Sequence, residues 1–369
     1  MTWIPWTRAV IAVGLLVGLS MPSRAAGPYT EEELRVPVPT AGLRGLEALL
    51  VRPSEPGRYP LALLNHGAPR FTADRPNMTP WSMLPQAIEF ARRGWAAVMV
   101  MRQGYGDSGG IPADDYGSCG RADYIAAGNG ASAELKESIA LLRRRPDIDI
   151  ARMIAVGRSA GGFATVALTA DPPPGLVAAI NFAGGRGSLH EDEVCQGDRL
   201  IEAFGHFGER SRIPMLWVYA ENDHFFGPKL AQEFRQAFTG GGGKIEFIKA
   251  PAFGEDGHQL FSAAGIPLWT GMVDDFLKQQ GLVLRTTLLP PPPRPDLAAP
   301  AALSANGRRA FETYLTSPPH KAFAFAPDGS FGWQTARRTK EAAKSGALSA
   351  CQQHAVNCNI AFVDDAPAH

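Results

Sequence analysis

The sequence lacks an excess of charge of either sign: Lys+Arg and Asp+Glu each number 36 in 369 residues. Polyanion binding draws on a basic surplus, so nucleic acid is not expected as a partner. Cysteine is scarce, at four residues, and none stands at metal-ligand spacing with a histidine pair, so no zinc site is expected. The apolar run at residues 9–19 falls well short of the roughly 20 residues of a spanning helix. The Gly-rich stretch 102–110 lacks the Lys-Ser/Thr ending of a P-loop and reads as a tight loop on a rim. No internal repeat is evident. With 45% hydrophobic and 20% charged residues, the chain can bury one large core and a small appendage, which excludes disorder throughout.

The N-terminus reads as an export signal over residues 1–25. Arg8 precedes the apolar run, and Ser23-Arg24-Ala25 offers a small-x-small cleavage site, so the mature chain is expected to begin near Ala26. The alternative, an uncleaved anchor, is opposed by the shortness of the run, and no stable membrane span is expected after cleavage. The expected location is secreted or periplasmic. There thiols pair, and Cys119, Cys195, Cys351 and Cys358 are even in number, so two disulfides are expected. Position suggests Cys119 with Cys195 and Cys351 with Cys358, although four cysteines permit three pairings.

From Pro60 onward, short apolar runs alternate with amphipathic or Ala/Leu-rich stretches, as in an α/β doubly wound, mostly parallel sheet. Strands are expected at 61–64, 96–101, 153–156, 177–182, 215–219 and 245–248. Helices are expected at 83–92, 132–145, 162–170, 228–238 and 268–279, with a hairpin from 33–37 and 45–51 ahead of them. Four prolines at 290–293 begin a Pro/Ala-rich linker, 290–304, which separates a catalytic domain, 26–289, from a small C-terminal α+β module, 305–369. In that module strands are expected at 321–325 and 359–363 and a helix at 339–351; a Cys351–Cys358 bridge would help so small a unit.

The strongest chemical signal is Gly157-Arg158-Ser159-Ala160-Gly161, set between an apolar strand and an Ala/Gly-rich helix. A turn of that kind needs glycines and exposes the serine hydroxyl at a helix N-terminus, where developing negative charge is favoured; a plain Gly-rich loop is the duller reading. The strand at 61–64 ends in Asn65-His66-Gly67-Ala68, whose backbone could bind an oxyanion, so the N–H groups of Ala68 and Ala160 are the expected donors. His66 sits directly at the strand end and is expected to be structural. Asp223, after the strand at 215–219, is the expected acid; Glu221 competes for the role, and a helix cap or turn is the alternative for Asp223. His258, in the loop Gly254-Glu255-Asp256-Gly257-His258 after the last core strand, is the expected general base. The insertions 111–130 and 186–207, joined through Cys119 and Cys195, are expected to wall a pocket. Tyr105, Tyr116, Phe204, Phe207 and Phe225 are its candidate aromatics.

These features together, with 102–110 following the strand at 96–101, resemble the α/β-hydrolase superfamily, most nearly its dienelactone-hydrolase-like and prolyl-oligopeptidase-like branch, over residues 45 to 280. The motifs mark the superfamily and say little of substrate. Dienelactone hydrolases are expected to carry a cysteine nucleophile; Ser159 stands in its place, which argues against lactone hydrolysis. The resemblance implies acyl transfer to water on a serine, with no cofactor, acting on a small-molecule or polymer-linked ester. A peptidase of the same fold is the second expectation. Its branch often carries a β-propeller ahead of the catalytic domain, and only about 35 residues separate Ala26 from Leu61. A binding protein that retains the fold is the third, opposed by the presence of all three triad residue types.

Overall fold

The computed structural model describes residues 24–368, so all of the expected leader except Arg24 and Ala25 lies outside the described residues. Among the described residues no helix is long and apolar enough to cross a membrane.

The main sheet begins with β1 (Arg24–Ala26), β2 (Tyr29–Val36) and β3 (Leu46–Pro53), followed by β4 (Tyr59–Asn65), α1 (Leu84–Arg92), β5 (Ala96–Val100) and α2 (Tyr124–Leu142). It continues through β6 (Ile148–Arg158), α3 (Ala160–Ala170) and β7 (Leu176–Phe182); a hairpin of β8 (Ser188–His190) and β9 (Glu193–Val194) then leads to α4 (Gly197–Arg210). It closes with β10 (Met215–Ala220), α5 (Pro228–Gly240), β11 (Ile245–Ala250) and α6 (Ile266–Gln279). The nine strands lie in the order β1-β2-β3-β5-β4-β6-β7-β10-β11. From β5 to β11 every pairing is parallel, while β1, β2 and β3 form an antiparallel extension. This is the α/β-hydrolase architecture.

Why both faces are covered follows from the strand sequences. Ala62, Leu64, Ile154, Val156, Ile180 and Val218 point to one face and pack under α1 and α6, in a core with Phe90, Trp269 and Phe276. Their alternates, Leu61, Leu63, Met153, Ala155 and Trp217, point to the other face, under α2, α3, α4 and α5. Strands buried on both sides read as continuous apolar runs, which is why they were legible without alternation.

Helix α4 departs from expectation. The stretch 186–207 reads as an insertion, yet Leu200, Ala203, Phe204 and Phe207 recur at helical spacing and are all buried. Phe204 stacks on Phe234 at 4.2 Å and meets Phe163 edge-on at 5.3 Å. Phe204 and Phe207 are therefore core residues of the α3–α5 face and not pocket aromatics: an amphipathic helix over a sheet turns its large apolar side chains inward.

Both disulfides pair as the positions suggested, Cys119 with Cys195 and Cys351 with Cys358. The first joins the loop ahead of α2 to the hairpin ahead of α4. Residues 290–300 have no regular structure. Beyond them α7 (Ala305–Thr316), β12 (Ala322–Phe325), β13 (Phe331–Gln334), α8 (Lys340–Gln352), β14 (Asn359–Val363) and β15 (Ala366–Pro367) build a separate four-stranded antiparallel sheet, ordered β13-β12-β14-β15. Its core of Phe311, Tyr314, Phe323 and Phe362 also takes in Leu297 and Ala299 from the proline-rich stretch.

The module docks on the main sheet at a defined place. Arg338 bonds the carboxylate of Glu47 and the carbonyl of Met78. The Thr79 hydroxyl donates to Ala336 O at 2.6 Å, and Trp81 meets His320 edge-on at 5.1 Å. The held segment, 71–79, is the rim of the cleft described next.

Candidate active site

Ser159 stands between β6 and α3 with φ 56° and ψ −125°, a conformation that side chains rarely adopt. What makes the turn so tight is backbone contact on both sides. A Cβ on Gly157 would lie 2.1 Å from Gly161 O, and one on Gly161 would lie 2.1 Å from Asn65 O, so both positions require glycine. The serine is 5% exposed and lines a cleft of about 190 Å³.

Asp223 follows β10. Its Oδ1 accepts the N–H groups of Phe225 and Phe226 at 2.8 and 2.9 Å, and its Oδ2 lies 3.1 Å from His258 Nδ1. Burial raises the Asp223 pKa, but the hydrogen bond and charge of His258 and the two amides outweigh it and hold the carboxyl below its ordinary range. Glu221 is half exposed and pairs with Lys249 at 3.1 Å, away from the imidazole.

The His258 loop is clipped to the Asp223 loop by side chains that sequence reasoning did not select. Asp256 Oδ1 accepts from His258 N at 2.9 Å and from His224 N at 3.1 Å. Asn222 Oδ1 accepts from Phe253 N at 2.8 Å. The Asp-Gly-His spacing is an Asx-turn signature, a signal that was present in the sequence. Arg158, beside Ser159, donates to Gln259, beside His258, at 3.2 Å, which ties the two loops together.

Ala68 and Ala160 both line the cleft, and among the described residues neither N–H has a protein acceptor. His66 is fully buried. Its Nε2 accepts the N–H of Arg102 at 3.0 Å, so Nδ1 carries the proton and donates to Gly67 O at 2.6 Å. Burial, with Arg102 beside it, pushes the His66 pKa well below the usual value, so the ring is neutral. Because a trans peptide points its C=O and N–H oppositely, pinning Gly67 O turns the N–H of Ala68 away from His66.

Of the remaining expected pocket aromatics, Tyr116 and Phe225 line the cleft. Tyr105 does not: it is wholly buried behind it, edge-on to His66 at 4.8 Å with its hydroxyl 3.3 Å from Asp114. A Tyr hydroxyl near a buried carboxylate is drawn inward, which the Gly-rich surroundings of Tyr105 did not disclose. The two disulfide-linked insertions do form a wall, through Asp115, Tyr116 and Gly117 from one and Arg186, Gly187 and Ser188 from the other.

No family model matches this chain, and no curated protein matches it. It is similar to solved structures that include a putative dienelactone hydrolase from Klebsiella pneumoniae subsp. pneumoniae, at 15% identity and TM-score 0.46, over 68% of this chain and 99% of that one. Another is a cold-adapted esterase from an Arctic intertidal metagenomic library, at 15% identity and TM-score 0.48, over 70% of this chain and 97% of that one. A third is the acylaminoacyl peptidase of Pyrococcus horikoshii, at 15% identity and TM-score 0.46, over 69% of this chain and 42% of that larger one. The likeness is one of fold.

Proposed function

We propose that this protein is an exported serine hydrolase that cleaves carboxylic esters through an acyl-enzyme on Ser159. The observation that carries the reading is the strained Ser159 at a helix N-terminus in the same cleft as Phe225, on which the Asp223-paired His258 is stacked. His258 takes the Ser159 proton as the oxygen attacks the ester carbonyl, and Asp223 stabilises the imidazolium. The N–H groups of Ala68 and Ala160 receive the oxyanion; a donor of this kind typically contributes about 3 kcal/mol to lowering the barrier. The C–O bond to the alcohol then breaks, and the leaving oxygen takes the proton from His258. Water, deprotonated by the same imidazole, attacks the acyl carbonyl, and Ser159 leaves with that proton. The disulfides support an exported location. The catalytic unit spans residues 26–289, and 305–369 form an appended module.

A fluorophosphonate probe and a panel of chromogenic esters and aminoacyl amides test this. The wild type is expected to be labelled and to hydrolyse esters, and Ser159→Ala to lose both while keeping its thermal transition. Near wild-type turnover in Ser159→Ala removes Ser159 from the mechanism, and amide cleavage without ester cleavage makes the enzyme a peptidase.

A further inference from the structure

The cleft beside Ser159 is short of negative charge. Its charged lining residues are Arg70, Arg75, Arg186 and Asp115, and Asp115 turns its Oδ1 to the N–H of Gly117 at 2.9 Å. Arg70 lies over the Phe225 ring at 3.7 Å and donates to the Ser188 hydroxyl and to the carbonyls of His190 and His224, with no carboxylate among its partners.

Arg186 is 5% exposed, and its Nη1 donates to Asp114 Oδ2 at 2.8 Å. That oxygen also receives Arg102 Nε at 2.9 Å, so two buried guanidiniums share one carboxylate. Arg186 Nη2 reaches the Tyr105 hydroxyl at 3.5 Å, and among the described residues its Nε is buried without a partner. Arg75, on the rim segment, faces the Tyr105 ring at 5.1 Å; its Nε is likewise buried without a partner, and among the described residues its guanidinium forms no ion pair. The other buried carboxyl near this cluster, Glu134, accepts the N–H of Gln103 on its Oε1, and burial pushes its pKa up to about 7. It therefore supplies at most a partial charge at neutral pH.

Buried guanidinium N–H groups are costly without an acceptor, and the planar fork of arginine matches a carboxylate. We infer that the natural ester carries a free carboxylate, received between Arg75 and Arg186 while its ester carbonyl meets Ser159. This rests on the hydrolase reading and gives it a substrate class: half-esters of dicarboxylic acids or esters of carboxylate-bearing alcohols. Asp114 and the Tyr105 hydroxyl hold Arg186, and the Tyr105 ring faces Arg75, so both guanidiniums sit in a fixed frame at the cleft.

The test pairs mono-(4-nitrophenyl) adipate with its neutral methyl ester. The wild type is expected to favour the free acid at least about tenfold in kcat/KM, as charge-assisted hydrogen bonds imply. Added NaCl should narrow that preference, and Arg75→Ala and Arg186→Gln should each bring the ratio toward one. A wild-type ratio at or below one, or a ratio that neither substitution moves, overturns the inference. If neither ester is hydrolysed, the hydrolase reading fails by itself, and the anion site is then decided by titrating monomethyl adipate into the Ser159→Ala protein. Binding that Arg75→Ala weakens at least about tenfold upholds the site, and absent or unchanged binding ends it.

Discussion

The ring of Phe225 lies flat on the imidazole of His258, with centroids 3.9 Å apart and planes 10° from parallel, and Arg70 covers its far face at 3.7 Å. The same residue gives its N–H to Asp223, so one side chain and its backbone hold both His258 and Asp223, the proposed base and acid. Phe225→Ala keeps the amide and removes the stack. We expect kcat to fall about tenfold through loss of imidazole alignment, with Phe225→Tyr close to wild type. Steady-state kinetics on a neutral ester decide this, and equal turnover in Phe225→Ala would make the stack incidental.

Asp223→Asn should cost about 10⁴-fold in kcat, because an amide cannot hold the tautomer that His258 needs. Glu221→Gln should change it less than about threefold, as expected for an exposed pair. A reversal of that ranking would assign the acid to Glu221.

Glu134 ties stability to pH. Its pKa is about 7 in the folded chain against an ordinary 4.5, and burial is the main cause. Between those values the unfolded chain has released the proton that the folded chain retains. Stability therefore falls as pH rises through that window and stays at the lower level above it. Glu134→Gln keeps an acceptor for Gln103 N–H and cannot ionise. Urea unfolding from pH 4.5 to 8 should show the wild type losing on the order of 1–3 kcal/mol relative to the variant. Parallel curves would place the titration elsewhere.

A chain ending at Leu289 loses the module but no strand of the main sheet. It should remain folded and keep kcat on a small neutral ester within about threefold. What it gives up is the hold on the rim segment, so KM for the free-acid ester should rise, and Arg338→Ala should reproduce part of that rise. An insoluble truncated chain would show that the module completes the core.

The parallel strands, most of their flanking helices and the Cys351–Cys358 bridge were legible because apolar runs, Gly-bracketed turns and closely spaced cysteines are local signals; Cys119–Cys195 spans 76 residues and followed from the even number of cysteines and their position. The serine elbow was legible for the same reason: Gly157 and Gly161 are demanded by contacts within a few residues or with the neighbouring strand. Helix α4 was missed because glycines at 197, 205 and 208 obscured a correct apolar stripe. The placement of Tyr105 behind the cleft depends on Asp114, and the charge of the cleft depends on Arg75 and Arg186 meeting across 111 residues. Such meetings are set by sheet order, which no window of sequence contains.

The two ring nitrogens of His66 are both committed, one receiving the amide of Arg102 and the other giving its proton to Gly67. A second proton on that ring would set donor against donor at Arg102, in a fully buried site. The peptide that aims the Ala68 N–H is thus insulated from acidity. On the serine-hydrolase reading, a fall in pH leaves the aim of the Ala68 N–H unchanged, so activity lost in mild acid should return at once on neutralisation, with no refolding delay.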